Sequence, residues 1–262
     1  ERGVPDDTCE YCRTGRYNIC PGVDFMATQP NYKGALTQYM THPEEWTYHI
    51  PEGMTTMEGA LVEPAAVGMH AAVLGGAQPG KSIVILGGGT IGLMVLQACI
   101  SLGATDITVV DVIEKRLELA KKLGAARVIN GKEEDTVAVL RSEEMYGDHG
   151  VDLVFEAAGA VFTAQQAVQI VSRGGKIMMV GTQSKPVPID FLKINREVTI
   201  QTSFRYCNNF PQTIEAISSG RFNVKDMVTN IYDYEDVQKA FEEAIDPVKK
   251  TEMVKGVIKV AE

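Results

Sequence analysis

The residues best suited to chemistry fall in two short stretches. In the first, Gly87, Gly89 and Gly92 form a G-x-G-x-x-G pattern directly behind the apolar run 82–86, and Asp111 follows nineteen positions after Gly92. The pattern reads as a buried parallel strand, a glycine turn and the first turn of a helix, with the acid at the tip of the next strand, 107–111. Gly87 permits the tight turn, Gly89 lets a pyrophosphate approach the backbone, and Gly92 lets helix and strand pack closely. Thr90, Ile91 and Gly92 open the helix and offer unpaired N–H groups and a partial positive charge to phosphate. Asp111 would accept hydrogen bonds from a ribose diol and repel a 2′-phosphate, so the expected dinucleotide is NAD rather than NADP.

In the second stretch, Cys9, Cys12 and Cys20 give C-x-x-C-x7-C. Thiolates at that spacing can reach one tetrahedral zinc, and Asp6, one x-x step before Cys9, could supply an oxygen as fourth ligand. A closed site of this sort would be structural. The plainer alternative is three reduced cysteines in a loop without metal.

The elements that must position these residues change in texture along the chain. Residues 1–64 are rich in Pro, Gly, Tyr and Thr, with short extended runs such as 35–40, which suits irregular β structure. From about residue 65, helices and strands alternate. A helix near 90–102 is apolar nearly all round, as a helix buried against a sheet should be. An amphipathic helix follows at 114–123, then strands near 126–130, 151–155 and 176–180, with a helix at 161–172 between the last two. Such alternation implies β-α-β units and a parallel sheet. The run 198–204 reads as a further strand leaving that domain, 208–219 and 234–246 as helices, and 256–260 as a closing strand returning to the first domain.

Composition narrows the partners. The 262 residues carry a net charge of −9 and are 45% hydrophobic, which provides a core but disfavours nucleic acid or an anionic membrane. The longest apolar stretches, such as 91–102, are too short and glycine-broken to span a bilayer. No secretory leader is visible, although the chain begins with Glu1 rather than Met. Five cysteines, three of them clustered, suit a reduced compartment and a metal better than a disulfide framework. A cytoplasmic protein is expected. Of the remaining residues, His70 and Cys99 read as packing residues, and His42, His49 and His149 as surface ones. Cys207 could face a site or simply pack.

The cysteine lobe resembles the structural zinc loop of the zinc-dependent medium-chain dehydrogenases, with Asp6 where those proteins usually have the first of four cysteines. The likeness continues through Gly59-Ala60-Leu61-Val62-Glu63-Pro64, Val67-Gly68-Met69-His70-Ala71, the glycine turn, Asp111 with Arg116, Val180-Gly181 and Phe204-Arg205-Tyr206. It spans nearly the whole chain. Glu63-Pro64 with Phe204-Arg205-Tyr206 is most similar to the polyol branch, the sorbitol and xylitol dehydrogenases, with threonine and butanediol dehydrogenases as close competitors. The implied fold is α/β. A β-rich GroES-like catalytic domain, partial here (1–64 and 204–262), flanks a Rossmann doubly wound parallel sheet (65–203).

The resemblance also implies roles. Glu63 would stand beside a catalytic zinc, bonding its water or the substrate or ligating the metal. Alternatively, it caps a helix that begins at Pro64. Arg205 and Tyr206 would bond polyol hydroxyls, with Arg205 also near the cofactor. Arg116 would contact the adenosine ribose or be a solvated helix charge. Val180, Gly181, Ser203 and Phe204 would border the nicotinamide, and Phe25 and Thr28 the substrate pocket. NAD, zinc, a small alcohol or polyol substrate and a homo-oligomer, dimer or tetramer, are implied with them.

One departure matters. Family members begin with a segment carrying a Cys and a His-Glu pair that bind the catalytic zinc, and residues 1–262 contain no equivalent. Catalytic zinc needs three protein ligands, so Glu63 alone cannot hold it. The chain is therefore expected to be a truncated member, with apolar surface exposed by the loss. A catalytically inactive NAD-binding or assembly module is the alternative.

Overall fold

The computed structural model describes residues 1–28 and 34–260. The chain opens with β1 (Gly3–Val4), α1 (Glu10–Arg13) and β2 (Asp24–Phe25), and β1 pairs antiparallel with β2. The run 35–40, expected to be extended β structure, forms no strand. Leu36, Tyr39 and Met40 are all exposed, so neither ladder nor core holds that backbone.

Next comes α2 (Thr56–Gly75). Thr55 caps it: its hydroxyl accepts the Glu58 N–H at 3.2 Å, and the Glu58 carboxylate accepts the Thr55 N–H at 2.8 Å. Such a capping box contributes about 1 kcal/mol. Pro64 therefore lies inside the helix, and the reading of Glu63 as its cap is wrong. Lacking an N–H, Pro64 costs on the order of 3 kcal/mol in a helix interior. Burial of Leu61, Val62, Ala65, Ala66 and Met69 offsets that cost. The helix also runs unbroken across residues 64 and 65.

The centre is a six-stranded parallel sheet: β3 (Ser82–Leu86), β4 (Asp106–Asp111), β5 (Arg127–Asn130), β6 (Val151–Glu156), β7 (Val171–Met179) and β8 (Thr199–Thr202), in the order β5-β4-β3-β6-β7-β8. The intervening helices are α3 (Thr90–Ser101), α4 (Glu114–Lys122), α5 (Thr136–Leu140) and α6 (Val161–Ile170). Strand alternation separates two cores. Ile83, Ile85, Ile107 and Val109 join α2 and α3, whereas Val84, Leu86, Val110 and Val154 join α5 and α6. With both faces covered, the sheet is doubly wound. Gly68 allows α2 to reach α3, because a Cβ there would lie 2.5 Å from the Met94 carbonyl carbon.

The run 198–204, expected to be a further strand leaving the domain, forms β8 at the edge of the sheet, Lys176 opposite Thr199, and the chain departs at Ser203. Beyond it α7 (Phe210–Ser218) packs on α2 through Phe210 and Ile217. The chain ends with β9 (Val228–Asp233), α8 (Val237–Ile245), α9 (Lys249–Glu252) and β10 (Lys255–Lys259). β10 pairs parallel with β9, the two being linked through α8 and α9.

Candidate functional site

Gly87, Asp111, Glu156, Val180 and Ser203 all lie at the carboxyl ends of parallel strands. Between β3 and β6 the strand order reverses, which is where such sheets form a crevice. Gly87 has φ +109°, and a Cβ there would meet the Ala158 nitrogen at 2.8 Å. A Cβ on Gly92 would lie 1.8 Å from the Gly87 carbonyl oxygen, so helix and turn meet only because Gly92 has no side chain. Above Gly89 the space is open, the nearest atom to a Cβ being Arg116 Nη1 at 3.9 Å. Gly89 caps α3 with no side-chain hydrogen bond, which leaves backbone donors at Thr90 and Ile91 for an anion.

Asp111 is buried and heavily used. Oδ2 accepts the Gly88 N–H at 2.7 Å, while Oδ1 accepts the Val112 and Ile113 N–H groups at 2.8 and 2.9 Å. Arg116 Nη1 stands 3.7 Å from Oδ2, and its buried Nε has no partner among the described residues. The Thr90 hydroxyl donates to the Val254 carbonyl, which brings the chain's end against this crevice. Further along, the Val180 and Gly181 N–H groups both donate to the Glu156 carbonyl at 2.8 Å, and the buried Ser203 hydroxyl has no partner among the described residues. An open glycine, an uncapped helix start, an acid and orphaned polar atoms on Arg116 and Ser203 together fit a dinucleotide.

A second cluster joins α2 to the segment after β8. Glu63 Oε1 accepts from the Tyr206 hydroxyl at 3.3 Å and from Arg2 Nη1 at 3.4 Å. Burial, and then the Glu63 charge, push the Tyr206 phenol well above its ordinary value, so it stays a proton donor. Arg205 has a left-handed backbone, φ 54°, and its guanidinium sits 3.6 Å from the Phe25 ring centroid and 4.7 Å from that of Phe204. Desolvation lowers its pKa. Thr28 donates its hydroxyl to the Phe25 carbonyl at 2.7 Å, closing the turn that carries the ring.

The cysteine lobe gathers as the spacing requires. One donor atom each from Asp6, Cys9, Cys12 and Cys20 lies within 4.8 Å of the others. Asp6 is oriented by the Thr8 and Cys9 N–H groups, which hold its carboxyl below the ordinary value. The Cys12 N–H draws Cys9 toward thiolate, while lost hydration and the neighbouring sulfurs push Cys12 up to about 12. A divalent cation would reverse that last effect, and the donor set fits zinc. Among the described residues this is the only grouping of three or more metal-competent side chains. Glu63 belongs to none, so these residues do not by themselves fit a catalytic zinc.

His70 is buried and its Nδ1 meets Asn209 Oδ1 at 2.9 Å, a packing role. Cys99 is wholly buried, and Cys207 packs with its sulfur 2.9 Å from the Gly15 carbonyl oxygen. His49 and His149 are exposed, but His42 is half-buried against the Glu1 carbonyl. Two residues escaped the sequence reading. Arg2 carries no pattern that marks it. Glu156 is completely buried and accepts from Ala158, Gly159, Thr163 and Gln183, and its place behind an apolar strand run was the same signal that marked Asp111.

Fold and site together define a zinc-binding dehydrogenase: residues 90–219 match the model of the family described as zinc-binding dehydrogenase, and the chain belongs to it. The zinc-type alcohol dehydrogenase-like protein YdjJ of Escherichia coli K12 is 63% identical over 262 residues, 100% of this chain and 74% of that protein. Sorbitol dehydrogenase of Bacillus subtilis is 41% identical over 248 residues, covering 94% of this chain and 69% of its own. The crystal structure of an Escherichia coli oxidoreductase/dehydrogenase of unknown specificity superposes with a TM-score of 0.97 at 62% identity, covering 100% of this chain and 74% of that one. No helix among the described residues is long and apolar enough to cross a membrane.

Proposed function

We propose that this protein takes part in the oxidation of a polyol or secondary alcohol to the ketone with NAD as hydride acceptor. The observation that carries this reading is the uncapped start of α3 beside Asp111, set at the same sheet end as the Glu63, Arg205 and Tyr206 group. The 41% identity to a sorbitol dehydrogenase supports the polyol class. Gly87, Gly89, Thr90, Ile91 and Gly92 would hold the diphosphate, Asp111 and Arg116 the adenosine ribose, and Val180, Gly181, Ser203 and Phe204 the nicotinamide. When bound, NAD supplies the acceptor carbon for hydride. Glu63 would take the hydroxyl proton at Oε1, while Tyr206 and Arg205 orient the substrate oxygens. No step is routed through a catalytic zinc. Asp6, Cys9, Cys12 and Cys20 would hold a structural zinc, which needs the reduced thiols of a cytoplasmic setting. The proposed division is 1–64 and 204–262 for the substrate side and 65–203 for the cofactor.

The test is twofold. NADH binding is measured by fluorescence, and NAD reduction is followed across a panel of polyols and secondary alcohols. Binding with turnover on a polyol supports the reading. Binding without turnover on any alcohol favours a second reading, an NAD-binding or assembly module. Absence of NADH binding by folded protein ends both.

A further inference from the structure

Glu156 is completely buried at the carboxyl end of β6. Its Oε1 accepts the Ala158 and Gly159 N–H groups at 3.0 and 2.9 Å and the Thr163 hydroxyl at 2.7 Å, while Oε2 accepts from Gln183 Nε2 at 2.7 Å. All four partners are neutral donors, and no cation among the described residues pairs with this carboxylate. Residues 157–170 carry no charged side chain, and within 180–188 the one charge, Lys185, is exposed. These bonds satisfy the oxygens but leave a full negative charge in the interior. A neutral amide would accept the same turn bonds at a smaller desolvation cost, so the turn by itself does not call for an acid.

That charge lies directly behind Gly181. A Cβ on Gly181 would stand 2.9 Å from Glu156 Oε2 and 2.3 Å from the Gly159 nitrogen, and the Glu156 carbonyl accepts the Gly181 N–H at 2.8 Å. Resting on the reading that Val180 and Gly181 border the nicotinamide, we infer that Glu156 sets which redox state of the cofactor the site prefers. Its buried charge favours the oxidised ring, which is cationic, over the reduced ring, which is neutral. NAD is thereby held more tightly than in a neutral site, and NADH leaves more readily once the ring has taken hydride and lost its charge. Glu156 acts across the Gly181 backbone through its field rather than by contact with the ring. A unit charge about 10 Å away, at an effective dielectric of about 20, shifts a binding equilibrium on the order of 10-fold.

Dissociation constants for NAD and for NADH, read by calorimetry on the unmodified protein and on Glu156→Gln, test the inference. With the Gln183 amide turned over, the new amide keeps all four bonds, so this variant removes the charge and little else. NAD should bind about 5- to 20-fold more weakly in Glu156→Gln, while NADH should change by less than about twofold. Thr163→Val, which removes one donor but not the charge, should leave the ratio of the two constants in place. If Glu156→Gln fails to fold, Gln183→Lys, which sets a cation against Oε2, should move the ratio in the same direction. A folded charge variant whose ratio is unmoved overturns the inference, as does an equal loss of both forms or an equal shift in Thr163→Val. Those are the results of a purely structural role. Failure of the unmodified protein to bind either form instead ends the cofactor reading, and this inference with it.

Discussion

Asp111 spends three of its acceptor positions on backbone N–H groups, so its carboxylate is locked in place before any ligand arrives. Asp111→Ala removes both the charge and the brace on the glycine turn. NADH affinity should fall about 10- to 100-fold, with the NAD-over-NADP preference reduced, as read by fluorescence titration. At the lobe, about one zinc per chain is expected by elemental analysis. Asp6→Ala should weaken its retention against a chelator, and Cys12→Ser should abolish it. His70 supplies a pH signature. Burial lowers its pKa from the ordinary 6.5, so the bonded neutral ring holds its full stabilising effect above that value. As pH falls through 6.5 the unfolded chain takes up the proton first, and stability declines until the folded ring also protonates. Denaturant melts between pH 7.5 and 5 should show this slope flattened in His70→Gln; an unchanged slope would assign it elsewhere.

Among the elements, the glycine turn with α3 is where local sequence and tertiary packing agree most closely. Gly92→Ala would drive a methyl into the Gly87 carbonyl and should destabilise the fold by on the order of 3 kcal/mol, enough for several degrees in the melting midpoint. Thr55→Ala should cost about 1 kcal/mol by removing the capping box of α2, without touching NADH affinity. Parallel strands were legible because both of their faces are buried, which writes continuous runs such as 82–86 and 151–155 into the chain. The start of α2 was missed because Pro64 looked like a first-turn residue, whereas the true signal was Thr55 with Glu58. Run 35–40 misled for the opposite reason: alternation without a partner strand specifies nothing.

For the molecule as a whole, Phe191, Leu192, Phe241 and Ile245 are each more than half exposed, on a chain with net charge −9. Surface of that kind favours association, and light scattering on eluted protein should give a mass of at least two chains. A monomer at micromolar concentration would refute the expected homo-oligomer. The end of the chain also sits where sequence gave no hint of it, with Thr90 reaching Val254, Lys115 meeting Glu252, and Arg116 close to the Lys250 carbonyl.

Local chemistry alone determined the glycine turn, the acid at the tip of β4, the thiolate spacing and the α/β class, since each depends on residues that are neighbours along the backbone or share one short period. Tertiary structure alone decided that Arg2, Phe25, Glu63 and Arg205 meet, and that β10 joins β9. Those contacts link segments far apart in the chain, and their formation is governed by shape and burial, which leave no periodic trace in the order of residues.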